Sequence, residues 1–340
     1  MLHGHGDDGY MHGKEIAADF STNVWHAGEP EGLKDYVWKK WNAVNKYPEV
    51  VAESLSKKIA AHHGVSEGQI LVNNGSTESI YLIAQLFAGR RTTILTPSFS
   101  EYEDACHIFG HELRFLPWSE AMELPQLQAD LVFICNPNNP TGKVFADLVF
   151  WVKRSPGCLF VIDEAFIDFT IGVDSAIPLL EKFKNVIVLR SLTKAYAIPG
   201  LRLGYVVAQE DLIRELMAIR QPWTVNTLAQ AAGEFIFDQY EQIQLPVAQI
   251  LLDKNDLVRQ LQSNDAIVTE DSATHFFLCK TLVRNAGQLK QFLLDKHGIL
   301  IRDAGNFRNL TRQHFRVATL NPGKNSLLIN ALEEWKELYY

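Results

Sequence analysis

One stretch, Arg190-Ser-Leu-Thr-Lys-Ala-Tyr-Ala-Ile-Pro-Gly-Leu-Arg-Leu-Gly-Tyr205, gathers two hydroxyls, an amine and a guanidinium. Ser191 and Thr193 supply the hydroxyls and Lys194 the amine; Arg202 stands eight residues beyond the lysine. The apolar run Val186-Ile-Val-Leu189 comes just before and reads as a buried strand. Pro199 and Gly200 break the chain between lysine and arginine, so both can turn toward one point. Such a set suits an aldehyde cofactor that carries a phosphate. The lysine forms a Schiff base, while the hydroxyls and the guanidinium hold the dianion. A lone lysine in a loop is ordinarily solvated; the neighbours of Lys194 argue for more than that.

Other stretches could serve the same cofactor. Asp163 ends the run Leu159-Phe-Val-Ile162. A carboxylate there could pair with a pyridine nitrogen, as in pyridoxal phosphate, and keep it protonated so that the ring accepts electrons. The plainer alternative is a turn or cap aspartate. In Asn136-Pro-Asn-Asn-Pro-Thr-Gly142 two prolines stiffen the backbone, so Asn139 could be aimed at the ring hydroxyl; a simple turn would use the same composition. Asn74-Gly-Ser-Thr-Glu-Ser79 stands between a strand and a helix. Free N–H groups at a helix N-terminus would make an anion seat there, with Gly75 letting the backbone approach closely, although an ordinary helix cap reads similarly. Phe99, in Thr96-Pro-Ser-Phe-Ser-Glu-Tyr102, could stack on an aromatic ring or be core.

The elements that must position these groups alternate in type. Strand candidates run over 70–73, 92–96, 112–116, 131–135, 159–163, 186–190 and 203–207, with helical stretches such as 76–87 and 99–110 between them. Strands apolar on both faces imply a largely parallel sheet covered by helices, an α/β architecture. Ligands of such sheets sit beyond the carboxyl ends of the strands, where Asn73, Thr96, Asn136, Asp163 and Ser191 fall. After Pro222 the pattern changes to helices over 226–238 and 243–263. Two strands (274–279 and 315–319) and helices over 286–297 and 326–338 then form a small α+β unit. The expected division is an N-terminal arm (1–30), a large cofactor-binding domain (31–240) and a small C-terminal domain (241–340).

Taken together, the ordered motifs resemble the fold-type-I pyridoxal-phosphate enzymes of the class I and II aminotransferase family, in the branch of histidinol-phosphate aminotransferases. The resemblance implies a large domain built on a mainly parallel seven-stranded sheet. The His3-Gly-His-Gly6 opening, Asp19-Phe-Ser-Thr-Asn23, Asp163-Glu-Ala-Phe-Ile-Asp-Phe169 and Gln221-Pro-Trp-Thr-Val-Asn226 look more like the threonine-phosphate decarboxylases of cobalamin synthesis. By this resemblance Lys194 carries the cofactor, Asp163 pairs with its ring nitrogen, Asn139 donates to its hydroxyl and Phe99 covers the ring. Ser76, Thr77, Ser191, Thr193 and Arg202 hold its phosphate. Arg316 grips the substrate carboxylate and Arg302 a second anion, with Asn23 and His3 also at the substrate. Tyr47 reaches the neighbouring subunit's site, so a homodimer with shared active sites follows. Phe166 stands where many aminotransferases have a tyrosine, which weighs toward the decarboxylases. The implied reaction is decarboxylation of O-phospho-L-threonine to (R)-1-amino-2-propanol phosphate. The alternative is amino transfer from histidinol phosphate to 2-oxoglutarate. A non-catalytic protein on the same fold would be expected to show a degraded site, and every cofactor position here carries a serviceable residue.

Bulk properties set the remaining bounds. With 47% apolar and 21% charged residues in 340, the chain has the composition of a soluble globular protein. A formal charge of −8 without any basic block argues against a nucleic-acid surface. No apolar run is long enough for a membrane span, and the opening residues lack a signal-peptide pattern. Cys106, Cys135, Cys158 and Cys279 show no paired spacing, which fits reduced thiols in a cytoplasmic protein. His107 and His111 have the i, i+4 spacing of helical metal ligands, yet Ile108 follows the first where a glutamate would be expected; no metal site is assigned. Trp223 reads as core or pocket wall.

Overall fold

The computed structural model describes residues 8–121, 124 and 127–340. A two-residue strand, β1 (Ala18–Asp19), comes first in the chain. Seven strands then form the large sheet: β2 (Ile70–Asn73), β3 (Arg91–Thr96), β4 (Glu112–Pro117), β5 (Leu131–Cys135), β6 (Leu159–Asp163), β7 (Val186–Ser191) and β8 (Gly204–Val207). Their spatial order is β2-β8-β7-β6-β5-β3-β4, and β8 alone runs antiparallel to its neighbours. Successive side chains of a strand point to opposite faces, and here both faces are apolar. Val132 and Ile134 of β5 join one buried cluster, while Leu131, Phe133 and Cys135 join another. The helices Glu53–His63 and Thr227–Asp238 contribute to the first cluster, and Gly75–Leu86 and Glu101–Ile108 to the second.

A smaller antiparallel sheet has the order β12-β13-β10-β9, from β9 (Ile267–Thr269), β10 (Phe276–Thr281), β12 (Arg302–Asp303) and β13 (His314–Ala318). Between β10 and β12 in sequence lies β11 (Ile299–Leu300), which pairs in parallel with β1. The N-terminal segment therefore packs into the small body, where Phe20 is fully buried with Phe277, Phe315 and Trp335. The helices Ala286–His297 and Pro322–Tyr339 cover this body. Asn285 and Asn321 cap them by accepting from the amides of Gln288 and Lys324, each at 2.9 Å.

Several boundaries and placements differ from the sequence reading. The helix expected over 243–263 spans Val247–Leu261, since Pro246 occupies its N-cap. The last helix begins at Pro322 rather than 326, a proline being well suited to a first turn. His107 and His111 do not share a helix: it stops at Ile108, and the chain turns through Gly110 at φ +69°. His111 is instead a buried structural residue, bonded to Thr92 Oγ1 at 2.7 Å and to the Ala84 carbonyl at 2.8 Å. Trp223 is not core: it is 45% exposed and lies 5.0 Å from the Tyr47 ring. All four cysteines are buried free thiols. Among the described residues no helix is long and apolar enough to cross a membrane.

Candidate active site

The carboxyl ends of β2, β5, β6 and β7 face a cavity of about 240 Å³ on the side of the large sheet nearest the small body. Ser76, Thr77, Phe99, Asn139, Asp163, Ser191, Thr193, Lys194 and Arg202 all line it, as do Asn23, Arg302 and Arg316. Residues up to 295 positions apart in sequence thus share one space. Tyr47 is absent from this lining; it is 83% exposed on a separate surface beside Trp41 and Trp223. His3 lies outside the described residues.

One end of the cavity is an anion seat. The helix Gly75–Leu86 starts there without a side-chain cap from Asn74; first-turn amides have no partner within their own helix, and the positive end of its dipole lies with them. Gly75 has φ +81°, and a Cβ on it would stand 2.6 Å from Arg202 Nη2. A Cβ on Gly204 would stand 2.8 Å from the Ser76 amide nitrogen. Both glycines therefore leave room for backbone and guanidinium to approach one point. Ser191 and Thr193 add hydroxyls, 2.8 Å apart, and Arg202 donates to the Pro199 carbonyl at 3.1 Å. Arg190, next to Ser191, is fixed by Glu164 at 3.2 Å and Asp168 at 2.5 Å, which ties the ends of β6 and β7 together.

The floor is a buried carboxylate. Asp163 accepts from the Tyr102 hydroxyl at 2.7 Å and from the Ala165 amide at 3.0 Å. Burial pushes its pKa up, opposed by those two donors and by the charge of Lys194. Both donors are neutral, so a cationic partner from the cavity would further favour the charged form. Tyr102 is fully buried, stacks on Phe133 at 5.0 Å and meets Phe99 edge-on at 5.9 Å. Tyr102 is not among the residues to which the motifs assign a role. Its position, one helical turn beyond Phe99, was the available signal.

The opposite wall comes from the small body. Arg302 and Arg316 are directly paired residues on the antiparallel strands β12 and β13, so their side chains leave the same face of the sheet. Arg316 donates to Asn139 Oδ1 at 2.5 Å and to the Ser21 carbonyl at 2.6 Å. Guanidinium has only donors, so the asparagine oxygen must face it, leaving the Asn139 amide nitrogen as the side chain's donor. The Nε of Arg316 is buried without an acceptor. Burial lowers the pKa of both arginines, and for Arg316 the Arg302 charge adds to the effect. Residues 20–25 close the remaining side. Phe20 exchanges backbone bonds with Leu300 and Ala318, the Asn23 carbonyl accepts from His275 Nε2 at 3.0 Å, and the Trp25 amide donates to the Lys194 carbonyl at 2.9 Å.

A model of the family described as aminotransferase class I and II matches residues 24–332. The chain belongs to this family. The structure of the L-threonine-O-3-phosphate decarboxylase from Porphyromonas gingivalis is 36% identical with a TM-score of 0.91, over 94% of this chain and 99% of that one. The histidinol-phosphate aminotransferase of Caldanaerobacter subterraneus subsp. tengcongensis is 32% identical over 86% of this chain and 84% of its own length. The histidinol-phosphate aminotransferase of Sinorhizobium meliloti, solved in complex with pyridoxal-5'-phosphate, shares the fold at 22% identity and a TM-score of 0.85, covering 97% and 93%. The class I and II member described here is thus a pyridoxal-phosphate enzyme, a decarboxylase or an aminotransferase. Its cavity fits that cofactor on physical grounds: a seat shaped for a phosphate, an amine, an aromatic wall and a buried carboxylate with only neutral donors.

Proposed function

We propose that the enzyme decarboxylates O-phospho-L-threonine to (R)-1-amino-2-propanol phosphate. The observation that carries this reading is the facing pair Arg302 and Arg316. Like charges directly opposite on neighbouring strands destabilise a sheet, and burial raises the cost. A substrate with two anionic groups offsets both, and a phosphorylated amino acid has a carboxylate and a phosphate. Guanidinium's planar fork suits each of them.

When bound, pyridoxal phosphate supplies an electron sink for the bond broken at the substrate's α-carbon. The protein's groups do the rest. Ser76, Thr77, Ser191, Thr193 and Arg202 hold the cofactor phosphate at the helix terminus. Asp163 would keep the proton on the ring nitrogen, Asn139 would donate to the ring hydroxyl, and Phe99 would cover the ring. Lys194 would hold the cofactor through its amine, and that amine would carry the proton to or from the α-carbon. Arg316 grips the carboxylate and Arg302 the phosphate, with Asn23 in the wall between arm and substrate. Which α-carbon bond breaks depends on the orientation these grips impose.

Loss of carbon dioxide is favoured over amino transfer by two supports: the closer likeness to the Porphyromonas gingivalis decarboxylase, and Phe166. The phenylalanine lines the cavity and packs edge-on against Phe276 at 4.9 Å, offering no hydroxyl to the cofactor. The histidinol-phosphate reading retains support from the 32% identical aminotransferase. Product analysis separates them. O-phospho-L-threonine should yield carbon dioxide and an amino-propanol phosphate. Histidinol phosphate with 2-oxoglutarate should yield no glutamate. Glutamate without carbon dioxide would reverse the assignment.

A further inference from the structure

The connection 304–313 joins β12 to β13 and contributes to how Arg302 is held. Its Asn306 Oδ1 accepts from Arg302 Nη2 at 2.9 Å, and the guanidinium lies 5.2 Å from the centre of the Phe307 ring. Phe307 also lines the cavity. The connection thus supplies two of the contacts that orient Arg302, alongside the bond from its Nη1 to the Asp303 carbonyl.

Although it belongs to the small body, this connection is fastened to the large one. Arg308 donates from Nε to Glu103 Oε2 at 2.6 Å and from Nη2 to Oε1 at 2.5 Å. Its guanidinium also sits 3.8 Å from the Phe115 ring centre. The next residue, Asn309, accepts from Thr96 Oγ1 at 3.0 Å. Glu103 is buried on the helix Glu101–Ile108, directly after Tyr102, with His107 Nε2 at 3.3 Å from the same carboxylate. An exposed ion pair contributes little to stability. This one has a buried carboxylate, a two-point fork and an aromatic face beneath the guanidinium, which together fix a geometry.

We propose that Arg308 is a positioning residue: its latch on Glu103 holds Arg302 beside Arg316 and so sets the preference for substrates bearing a second, phosphate-type anion. Repulsion between the facing guanidiniums drives Arg302 outward, and the latched connection resists that drift before substrate arrives. The proposal rests on the reading of Arg302 as the second anion grip.

The test compares binding of O-phospho-L-threonine and L-threonine to the cofactor-loaded enzyme, followed by the change in cofactor absorbance. If amino transfer proves to be the reaction, histidinol phosphate and histidinol replace them. Arg308→Ala should weaken the phosphorylated ligand about tenfold while leaving the unphosphorylated one unchanged; KM should rise with kcat nearly constant. Glu103→Gln should act in the same direction, and the double variant should be no worse than either single one. Unchanged preference in Arg308→Ala, or losses that add in the double variant, would overturn the latch. Arg302→Ala separates the two layers. If it retains the preference for phosphate, the reading of Arg302 falls and the latch with it. If it loses the preference while Arg308→Ala keeps it, only the latch falls.

Discussion

At the scale of single residues, the pair Tyr102 and Asp163 shows how a neutral group can tune a charged one. The tyrosine hydroxyl donates to the carboxylate at 2.7 Å and so favours its ionised form against the cost of burial. Tyr102→Phe removes that donor, and the hydroxyl's contact with the Cys135 thiol, while the ring still packs on Phe133. The pKa of Asp163 then rises further, and the carboxylate is lost at a higher pH than in the parent enzyme. The acid limb of the activity profile should therefore move upward in pH. Cofactor affinity should drop about tenfold, the value of one hydrogen bond to a charged group, measured by equilibrium dialysis at neutral pH. An unshifted acid limb would show that Asp163 gains nothing from the tyrosine.

Among the elements, the start of β8 and the start of the Gly75–Leu86 helix come into close backbone contact. A Cβ on Gly204 would meet the Arg190 carbonyl at 2.7 Å and the Ser76 amide at 2.8 Å, both backbone atoms with little freedom to move. Gly204→Ala should lower stability by about 1–3 kcal/mol and displace the Ser76 amide from the anion seat. A melt of the loaded protein and its cofactor retention after dialysis check both effects; retention equal to the parent's would mean that the amide is not part of the seat. Much of this scale could be read from the chain. Runs such as Leu131–Cys135 are apolar at every position, and the turn motifs after them mark strand ends whatever the distant context. Short strands were not legible: β1, β9, β11 and β12 have two or three residues each, too few for any periodicity. Contacts across long separations were likewise hidden. Nothing local in Arg308 points to Glu103, and the register that sets Arg302 opposite Arg316 emerges only when β12 meets β13. The motif residues of the cavity were legible because each sits on a local turn or helix start with its own signature.

At the scale of the whole molecule, Tyr47 belongs to an exposed aromatic surface with Trp41 and Trp223 and does not line its own chain's cavity. Such surfaces mark interaction sites, and the homodimer implied by the family resemblance would bring Tyr47 to the partner's site. Tyr47→Ala and Lys194→Ala should each be impaired alone. Refolded together in equal amounts, they should regain about a quarter of the parental sites, the statistical share with one intact site per mixed dimer. No regain on mixing would place Tyr47 outside the partner's chemistry. A last consequence concerns motion. Residues 20–25 are bonded at one end to the four-stranded body, through Leu300, Ala318, Arg316 and His275, and at the other to the carbonyl of Lys194. They act as a tether between the substrate grip and the nucleophile. Any swing of the small body must pull on the lysine's own backbone or first break that tether, so the two bodies are geared together rather than freely hinged.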